Sequence, residues 1–130
     1  MPQNPLIACV DDDVSVREAL GGFLKALGFT ADLYSSAEEF LQSDRLYQAS
    51  CLITDLHLRG MSGLQLQSRL STSGPDIPVI VITAFPDDRV RERALRAGAV
   101  GFLNKPFNTG DLLSCISSVL NRPHADRTHP

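Results

Sequence analysis

The chain is predicted to fold as a single α/β domain around an open, doubly wound parallel sheet of five strands. Short apolar runs alternate with segments whose apolar residues recur about every 3.6 positions, the pattern of βα units with right-handed crossovers. The segment 79–82 is unbroken and β-branched, as expected of a parallel strand covered on both faces. A length of 130 residues with 43% hydrophobic residues suits one compact core.

The first half of the chain is predicted to contain two strand–helix units and a third strand. The apolar residues after the run at 6–11 have helical spacing, and Gly28 is a suitable C-terminal stop for that helix. Ser36 and Glu39 match a capping box before a second helix at 36–44. The first helix is defined by Val16, Leu20, Phe23, Leu24 and Leu27, and the strands by 6–11, 30–34 and 50–55.

The second half is predicted to contain three helices and two more strands. A helix near 63–73 ends at Ser73-Gly74-Pro75, since proline and glycine stop helices. An arginine-rich helix follows near 87–98, and a final helix near 109–121 has Asn108 or Thr109 as its cap. The strands of this half are expected at 78–83 and 100–103.

Composition and charge narrow the range of functions. A net charge of -3 argues against nucleic-acid binding by this chain alone. No apolar stretch approaches the ~20 residues that span a bilayer, and the first residues lack the pattern of a signal peptide. Cys9, Cys51 and Cys115 fit neither a zinc site nor a redox pair by spacing. We therefore expect a cytoplasmic domain over residues 1–121, with 122–130 as a tail or the start of a linker.

Unusual polar residues follow four of the predicted strands. Asp11 and Asp12 close the first strand, Asp55 the third and Thr83 the fourth, and Lys105 follows the fifth. Ligands of open parallel sheets bind outside the carboxyl ends of the strands, where the strand order reverses. These side chains are therefore predicted to share one site.

The residue types at this edge indicate a chemistry. Clustered carboxylates repel one another unless one takes up a proton or a cation neutralises them. Hard oxygen ligands without a Cys/His pattern favour Mg²⁺ over zinc. A carboxylate such as Asp55 can attack phosphorus to form an acyl phosphate, and a metal, a lysine and a hydroxyl can then cover the three phosphoryl oxygens.

Each residue also has a purely structural interpretation. The run Asp11-Asp12-Asp13 can be a turn and a helix N-cap, which is the role expected of Asp13. Asp55 can cap a loop, Thr83 can end a strand without further role, and Lys105-Pro106 can be a surface turn. The joint pattern at four strand ends favours a functional site.

Taken together, these motifs resemble the receiver domain of the bacterial two-component response regulators over roughly residues 5–121. The motifs at 97–102 and 105–107 are most similar to the FixJ-type branch, whose members resemble transcription factors with a C-terminal helix-turn-helix domain. The matching segments are Val10-Asp11-Asp12-Asp13, Thr54-Asp55-Leu56, Met61-Ser62-Gly63, Val81-Ile82-Thr83-Ala84, Ala97-Gly98-Ala99-Val100-Gly101-Phe102 and Lys105-Pro106-Phe107.

The resemblance implies a flavodoxin-like (βα)5 fold with strand order 2-1-3-4-5, and a phosphoacceptor role for Asp55. The phosphoryl donor would be a sensor histidine kinase. The resemblance further implies that Asp11, Asp12, Asp55 and the backbone carbonyl of His57 hold Mg²⁺.

The remaining roles implied by the resemblance concern the response to the phosphoryl group. Thr83 and Lys105 would contact it, and Phe102 would be the switch aromatic that turns inward when Thr83 moves. The bond between Lys105 and Pro106 is expected to be cis. Two positions depart from the family pattern. His57 occupies a position that is often Asn, Met or Arg, and Arg59 occupies a position where Pro is common.

The output is predicted to be regulatory rather than enzymatic, beyond the domain's own phosphorylation and dephosphorylation. The face of the fourth helix and fifth strand is expected to form a phosphorylation-favoured homodimer, and DNA would be bound only through a further C-terminal domain. A stand-alone receiver acting by protein–protein interaction is the alternative. A haloacid-dehalogenase-like phosphatase would use the Asp-x-Asp of residues 11–13 but needs a cap domain, and an FMN binder needs a Ser/Thr/Gly-rich phosphate loop.

Overall fold

A computed structural model describes residues 5–85 and 87–120; the predicted tail at 122–130 lies outside them. The strands form one parallel sheet in the order β2-β1-β3-β4-β5, which confirms the predicted fold class and strand order. The strands are β1 Leu6–Val10, β2 Thr30–Tyr34, β3 Cys51–Asp55, β4 Val79–Thr83 and β5 Gly101–Asn104. The helices are α1 Val14–Ala26, α2 Ala37–Leu41, α3 Gly63–Ser73, α4 Asp88–Arg96 and α5 Thr109–Leu120, with a 3-10 turn at Leu46–Gln48.

Two helices are shorter than the sequence predicts. α2 ends at Leu41 because the Ser43 hydroxyl accepts the Arg45 N–H at 3.0 Å and bonds Tyr34, which turns the chain toward the 3-10 segment. α4 begins one residue later than predicted because Asp87 is its N-cap and accepts the Arg89 N–H at 2.8 Å.

The helix signals in the sequence correspond to real caps. α1 ends at Ala26, and Gly28 follows with a φ of +92°, a conformation that glycine adopts at little cost. Ser36 accepts the Glu39 N–H at 3.0 Å, but the Glu39 carboxylate turns to the Ser35 N–H at 2.7 Å, so this capping box is only half formed. A complete capping box is present at α3, between Ser62 and Gln65.

The core lies in two layers, one on each face of the sheet. β1, β3 and β4 are buried along their whole length, so their side chains alternate between the two layers. One layer packs Phe40, Leu52, Leu66, Leu70 and Val81 beneath α2, α3 and α4. The other packs Ile7, Leu20, Leu24, Ile53 and Ile116 beneath α1 and α5. This sandwich fixes the carboxyl ends of β1, β3 and β4 side by side at one edge.

The three cysteines are free thiols within the second layer. Burial, and to a smaller extent the neighbouring Cys115, raises the pKa of Cys51 to about 12. Burial also raises the pKa of Cys9 well above its usual range. Thiols held in the neutral form are poor nucleophiles and poor metal ligands, so they act as small core side chains.

Gly63 ties the start of α3 to the site edge, and its substitution is expected to destabilise the fold strongly. A Cβ at this position would overlap the backbone oxygen of Asp55 and lie 2.8 Å from the Leu56 Cα. We expect Gly63→Ala to lower the free energy of unfolding by about 3 kcal/mol, the upper end of the usual cost of overpacking.

Gly22→Ala is the matched control, because a Cβ there meets nothing within 4 Å. In a helix interior that change is expected to add about 0.5–1 kcal/mol. Urea unfolding of both variants tests the contrast, and equal stabilities would contradict it.

Candidate functional site

Three carboxylates meet at the carboxyl ends of β1 and β3. The two strands are neighbours with Val10 opposite Thr54, so Asp11 and Asp55 leave the sheet side by side. Asp11, Asp12 and Asp55 each offer an oxygen within 4.8 Å of the other two. Asp11 and Asp55 are buried and Asp12 is half-buried. The structure thus brings together the three acids that the sequence predicts to share a site, and their spacing suits one shared cation.

Lys105 bridges the two buried acids. Its ammonium donates to Asp11 Oδ2 at 2.8 Å and to Asp55 Oδ2 at 2.7 Å. The exposed fractions of the three side chains are 15% for Lys105, 0% for Asp11 and 8% for Asp55. The lysine backbone N–H donates to the Thr83 carbonyl at 2.7 Å, and its peptide bond to Pro106 is cis, as the resemblance implied. The chain thus supplies its own cation to the cluster.

The charges of the cluster shift the ionisation of its members. Burial raises the pKa of Asp11, and the hydrogen bond and charge of Lys105 only partly offset that effect. Burial by itself lowers the pKa of Lys105, but the hydrogen bonds and charges of Asp11 and Asp55 outweigh it, so this pKa is raised. Lys105 is therefore held firmly as a cation, while burial makes the ionised form of Asp11 less favourable than it is in water. Further positive charge at this point would be stabilising.

Backbone N–H groups fix the direction of each carboxylate. Asp11 Oδ1 accepts the Asp13 N–H at 2.9 Å, and Asp55 Oδ1 accepts the His57 N–H at 2.9 Å. Asp12 Oδ2 accepts the Arg59 N–H at 3.0 Å. Such fixed donors reduce the rotamer freedom that binding would otherwise have to remove.

Asp13 has the purely structural role expected of it. Its side chain caps α1 by accepting the N–H groups of Ser15 at 2.8 Å and Val16 at 3.3 Å. Within the described part of the chain it is not a member of the carboxylate cluster. Of the three consecutive acids, two face the site and one starts the helix.

Thr83 lies at the same edge but bonds its own loop. It is fully buried, and its hydroxyl oxygen accepts the Phe85 N–H at 3.0 Å. Phe85 is 68% exposed, and its ring packs edge-on against the ring of His57 at 5.4 Å between centroids. Among the described hydrogen bonds the Thr83 hydroxyl makes none to Asp55 or to the Lys105 ammonium, so the structure does not join this side chain to the acids.

Phe102 lies apart from the acids, on β5 opposite Val81. Its half-buried ring packs against the first core layer, and the Arg91 guanidinium of α4 lies 5.8 Å from its centroid. Cation–π contacts of this kind contribute about 0.5–1 kcal/mol at exposed sites. A cavity of about 210 Å³ lies beside the ring, between the first turn of α4 and the end of β5.

The cluster fits a divalent cation with hard oxygen ligands. Three carboxylate oxygens lie within 4.8 Å of one another, and Mg²⁺ typically binds one or two carboxylates directly while keeping several waters. Asp11 and Asp55 already share one ammonium. An incoming cation must therefore compete with Lys105 for their Oδ2 atoms or use their Oδ1 atoms.

The sequence did not indicate the partners that orient the acids. The donor at Arg59 is a backbone N–H, and every residue except proline carries one. The ring contact between His57 and Phe85 joins two exposed loops that are not adjacent in sequence. Neither feature has a composition or spacing signal, so only the fold reveals it.

The comparisons with known proteins agree on one family. The family model described as the response regulator receiver domain matches residues 7–117. The chain is 36% identical over 120 residues to the transcriptional regulatory protein TdiR of Thauera aromatica, covering 91% of this chain and 53% of that protein. It is 38% identical over 118 residues to the response regulator protein TmoT of Ectopseudomonas mendocina, and the match covers 91% of this chain and 54% of that protein. It spans about half the length of these curated relatives.

Solved structures show the same architecture. The response regulator StyR superposes with a TM-score of 0.86 at 39% identity, over 97% of this chain and 64% of that one. The structure of FixJ-N superposes with a TM-score of 0.82 at 33% identity, over 94% of this chain and 98% of that one. The phosphatase and FMN-binding interpretations receive no support from these matches.

Among the described helices, none is long and apolar enough to cross a membrane.

Proposed function

The chain belongs to the response regulator receiver family of two-component signalling, and on that premise we propose that it stores a signal as a phosphoryl group on Asp55. The phosphoryl donor is the phosphohistidine of a sensor histidine kinase. The observation that carries the proposal is the double ion pair of Lys105 with Asp11 and Asp55, beside the half-buried Asp12. A cation held against two buried carboxylates at the end of a strand suits a site where negative charge accumulates.

The chemistry follows from the groups present. Asp55 attacks phosphorus through a carboxylate oxygen; an O–P bond forms, the N–P bond to the donor imidazole breaks, and that nitrogen takes up a proton. Asp11, Asp12, Asp55 and the His57 carbonyl would hold Mg²⁺, which when bound would neutralise charge on the phosphoryl oxygens. Lys105 stays bonded at Asp55 and covers another oxygen with its ammonium. The backbone N–H of His57 keeps the attacking carboxylate in place.

A direct test is the intact mass of the protein after incubation with acetyl phosphate. With Mg²⁺ present we expect the mass of one phosphoryl group to be gained, because the metal and Lys105 together neutralise the transferred oxygens. With EDTA the gain is expected to fall at least tenfold in rate, in line with the cost of losing one charge-stabilising group. Failure of the wild-type protein to gain the mass with Mg²⁺ would count against the proposed function.

The response is proposed to pass from Thr83 to the α4–β5 face. The Thr83 hydroxyl gives up the Phe85 N–H and turns to the phosphoryl oxygen, which draws the loop after β4 inward. The ring of Phe102 then moves into the space that is vacated and leaves the Arg91 guanidinium. α4 suits such movement because it buries little apolar surface: Ala94 is buried, Val90 is half-buried, and Leu95 is 44% exposed.

The altered face is proposed to favour a homodimer. α4 exposes four arginines together with Asp88 and Glu92, and two copies can share such a surface of mixed charge by twofold symmetry. Beryllofluoride, which mimics the phosphoryl group on an aspartate, is expected to shift the protein from monomer to dimer in size-exclusion chromatography with light scattering at micromolar concentration. An unchanged mass at saturating beryllofluoride would contradict the dimer but not the phosphoacceptor role.

The downstream output is proposed to be transcriptional. The relatives named above include a transcriptional regulatory protein, and this chain matches only about half of their length. DNA would then be bound by a further domain and not by the receiver. A receiver that acts alone through protein–protein contacts is the alternative, and the length of the gene product distinguishes the two.

A further inference from the structure

The loop between β3 and α3, residues 56–62, presents its backbone donors to carboxylates in an alternating pattern. Every second residue from 57 to 61 donates its N–H to a different acid, and these acids come from three separate parts of the fold. The three bonds are His57 N to Asp55 Oδ1 at 2.9 Å, Arg59 N to Asp12 Oδ2 at 3.0 Å and Met61 N to Glu38 Oε2 at 3.0 Å. The middle donor, the Arg59 N–H, is the one that bonds an acid of the carboxylate cluster from another strand end, Asp12.

The contact between Arg59 and Asp12 joins positions 47 residues apart in the chain. The same carboxylate oxygen lies 4.0 Å from the Arg59 Nε, but that side chain is 94% exposed. Asp12 Oδ1 accepts no hydrogen bond from any residue that the structure describes. One oxygen of this acid is therefore held by the loop, and the other remains for a ligand.

We propose that Arg59 is the positioning residue for Asp12: its backbone N–H holds Oδ2 so that Oδ1 is presented to the metal. This inference rests on the proposed function, because it assigns a role at the same site. The guanidinium contributes little, since an exposed ion pair at 4.0 Å is screened by water and salt.

The proposal follows from the different constraints on the three acids. Asp11 and Asp55 are buried and bonded to Lys105, which holds them whether or not a metal is bound. Asp12 is half-buried, and among the described ion pairs and side-chain hydrogen bonds Lys105 makes none with it. Without the Arg59 N–H its carboxylate would be free to rotate into solvent, and metal binding would have to restrict it. Partners that orient a ligand in this way typically change metal affinity 10–100-fold.

Two substitutions separate the backbone from the side chain. Arg59→Pro removes the N–H, whereas Arg59→Ala removes the guanidinium and keeps the N–H. Mg²⁺ affinity is measured by isothermal titration calorimetry. We expect Arg59→Pro to raise the Kd for Mg²⁺ about tenfold or more. We expect Arg59→Ala to change it by less than about threefold, toward tighter binding, because a nearby positive charge is lost.

The opposite ranking of these variants would overturn the proposal. A large effect of Arg59→Ala with none from Arg59→Pro would place the role on the guanidinium. Thermal unfolding in EDTA shows whether Arg59→Pro retains the wild-type fold, which a specific effect on the metal requires.

A second measurement keeps the proposal testable if Arg59→Pro does not fold. Amide hydrogen exchange of the Arg59 N–H is followed by NMR in the wild-type protein and in Asp12→Ala. Exchange at Arg59 is expected to accelerate at least tenfold in the variant, while the Met61 N–H, which Glu38 accepts, keeps its wild-type rate. Unchanged exchange at Arg59 would show that Asp12 is not its acceptor and would overturn the proposal.

The same experiments distinguish this inference from the proposed function. If the wild-type protein binds Mg²⁺ and Asp12→Ala weakens that binding, the metal site stands, and only the Arg59 variants decide the positioning role. If neither the wild-type protein nor Arg59→Ala binds Mg²⁺, the metal site itself fails, and the inference fails with it.

Discussion

Asp55→Asn is expected to abolish the gain of a phosphoryl group from acetyl phosphate and Mg²⁺. An amide oxygen is a far weaker nucleophile than a carboxylate and cannot form the acyl phosphate. The neighbouring acids are poor substitutes, because Asp11 is fully buried and bonded to Lys105, and Asp12 is tied to the Arg59 N–H. We expect the loss to exceed 100-fold in intact-mass time courses, as expected when a nucleophile is removed.

Asp13→Asn is the matched control for that experiment. The residue lies in the same acidic run and undergoes the same chemical change, but it caps α1 and is not in the carboxylate cluster. Asparagine is as good an N-cap as aspartate, so the fold is expected to be retained. Phosphoryl gain within about twofold of wild type is expected. Persistence of the gain in Asp55→Asn would move the acceptor to another residue, and its loss in Asp13→Asn would question the specificity of the result.

The placement of the acids was predictable because it depends on topology more than on packing detail. Four of the five predicted strands ended in an unusual polar residue or were followed by one, and parallel strands bring their carboxyl ends to one edge. Any strand order that places the first and third strands together then brings Asp11 to Asp55. The burial of these residues follows from the helices on both faces, which the alternating pattern also predicted.

The interactions that orient the site were not predictable in the same way. The tether of Asp12 depends on one backbone N–H at Arg59, and the β3–α3 loop that brings it there has no periodic pattern. The ring of Phe102 could be named from the resemblance, but its contact with Arg91 depends on the packing of α4. Such contacts depend on loop conformations and side-chain rotamers, which periodicity does not specify.

Lys105→Met is expected to destabilise the metal-free protein and to tighten Mg²⁺ binding at the same time. The change keeps an unbranched side chain that is one atom shorter and removes its charge, leaving two carboxylates that are 0% and 8% exposed without their cation. Removing one member of a buried ion pair usually costs 3–5 kcal/mol. We expect about 3 kcal/mol at pH 7, near the lower end, because the raised pKa of Asp11 reduces the cost of protonating its carboxylate once the lysine is lost.

Lys25→Met controls for the loss of charge, because Lys25 is the only other lysine in the sequence and is exposed in the last turn of α1. Its effect on the free energy of unfolding is expected to stay within about 0.5 kcal/mol. Urea unfolding in EDTA measures both variants. Similar losses of stability in the two would show that the ion pairs of Lys105 contribute no more than a surface charge.

The pH dependence of the Lys105→Met effect has a defined sign. The folded pKa of Lys105 is raised, so its contribution is complete below the ordinary lysine value of about 10.4 and is lost as the pH rises through the raised pKa. The stability difference between wild type and variant is therefore expected to persist from pH 7 to about pH 10 and to close only in stronger alkali. A difference that closed between pH 7 and 9 would mean that Lys105 titrates early and is not held by its two acids.

Phosphoryl transfer and metal binding are expected to move in opposite directions in Lys105→Met. Mg²⁺ no longer competes with an ammonium for Asp11 and Asp55, so its Kd should fall. The transferred phosphoryl group loses a cation, so transfer from acetyl phosphate should slow roughly 100-fold even at saturating Mg²⁺, a typical cost of removing one preorganised charge-stabilising group. Calorimetry and intact-mass kinetics on the same preparation measure both quantities. If both binding and transfer weakened together, Lys105 would be acting mainly to hold the acids in place; separation of the two would show that its ammonium acts on the phosphoryl group itself.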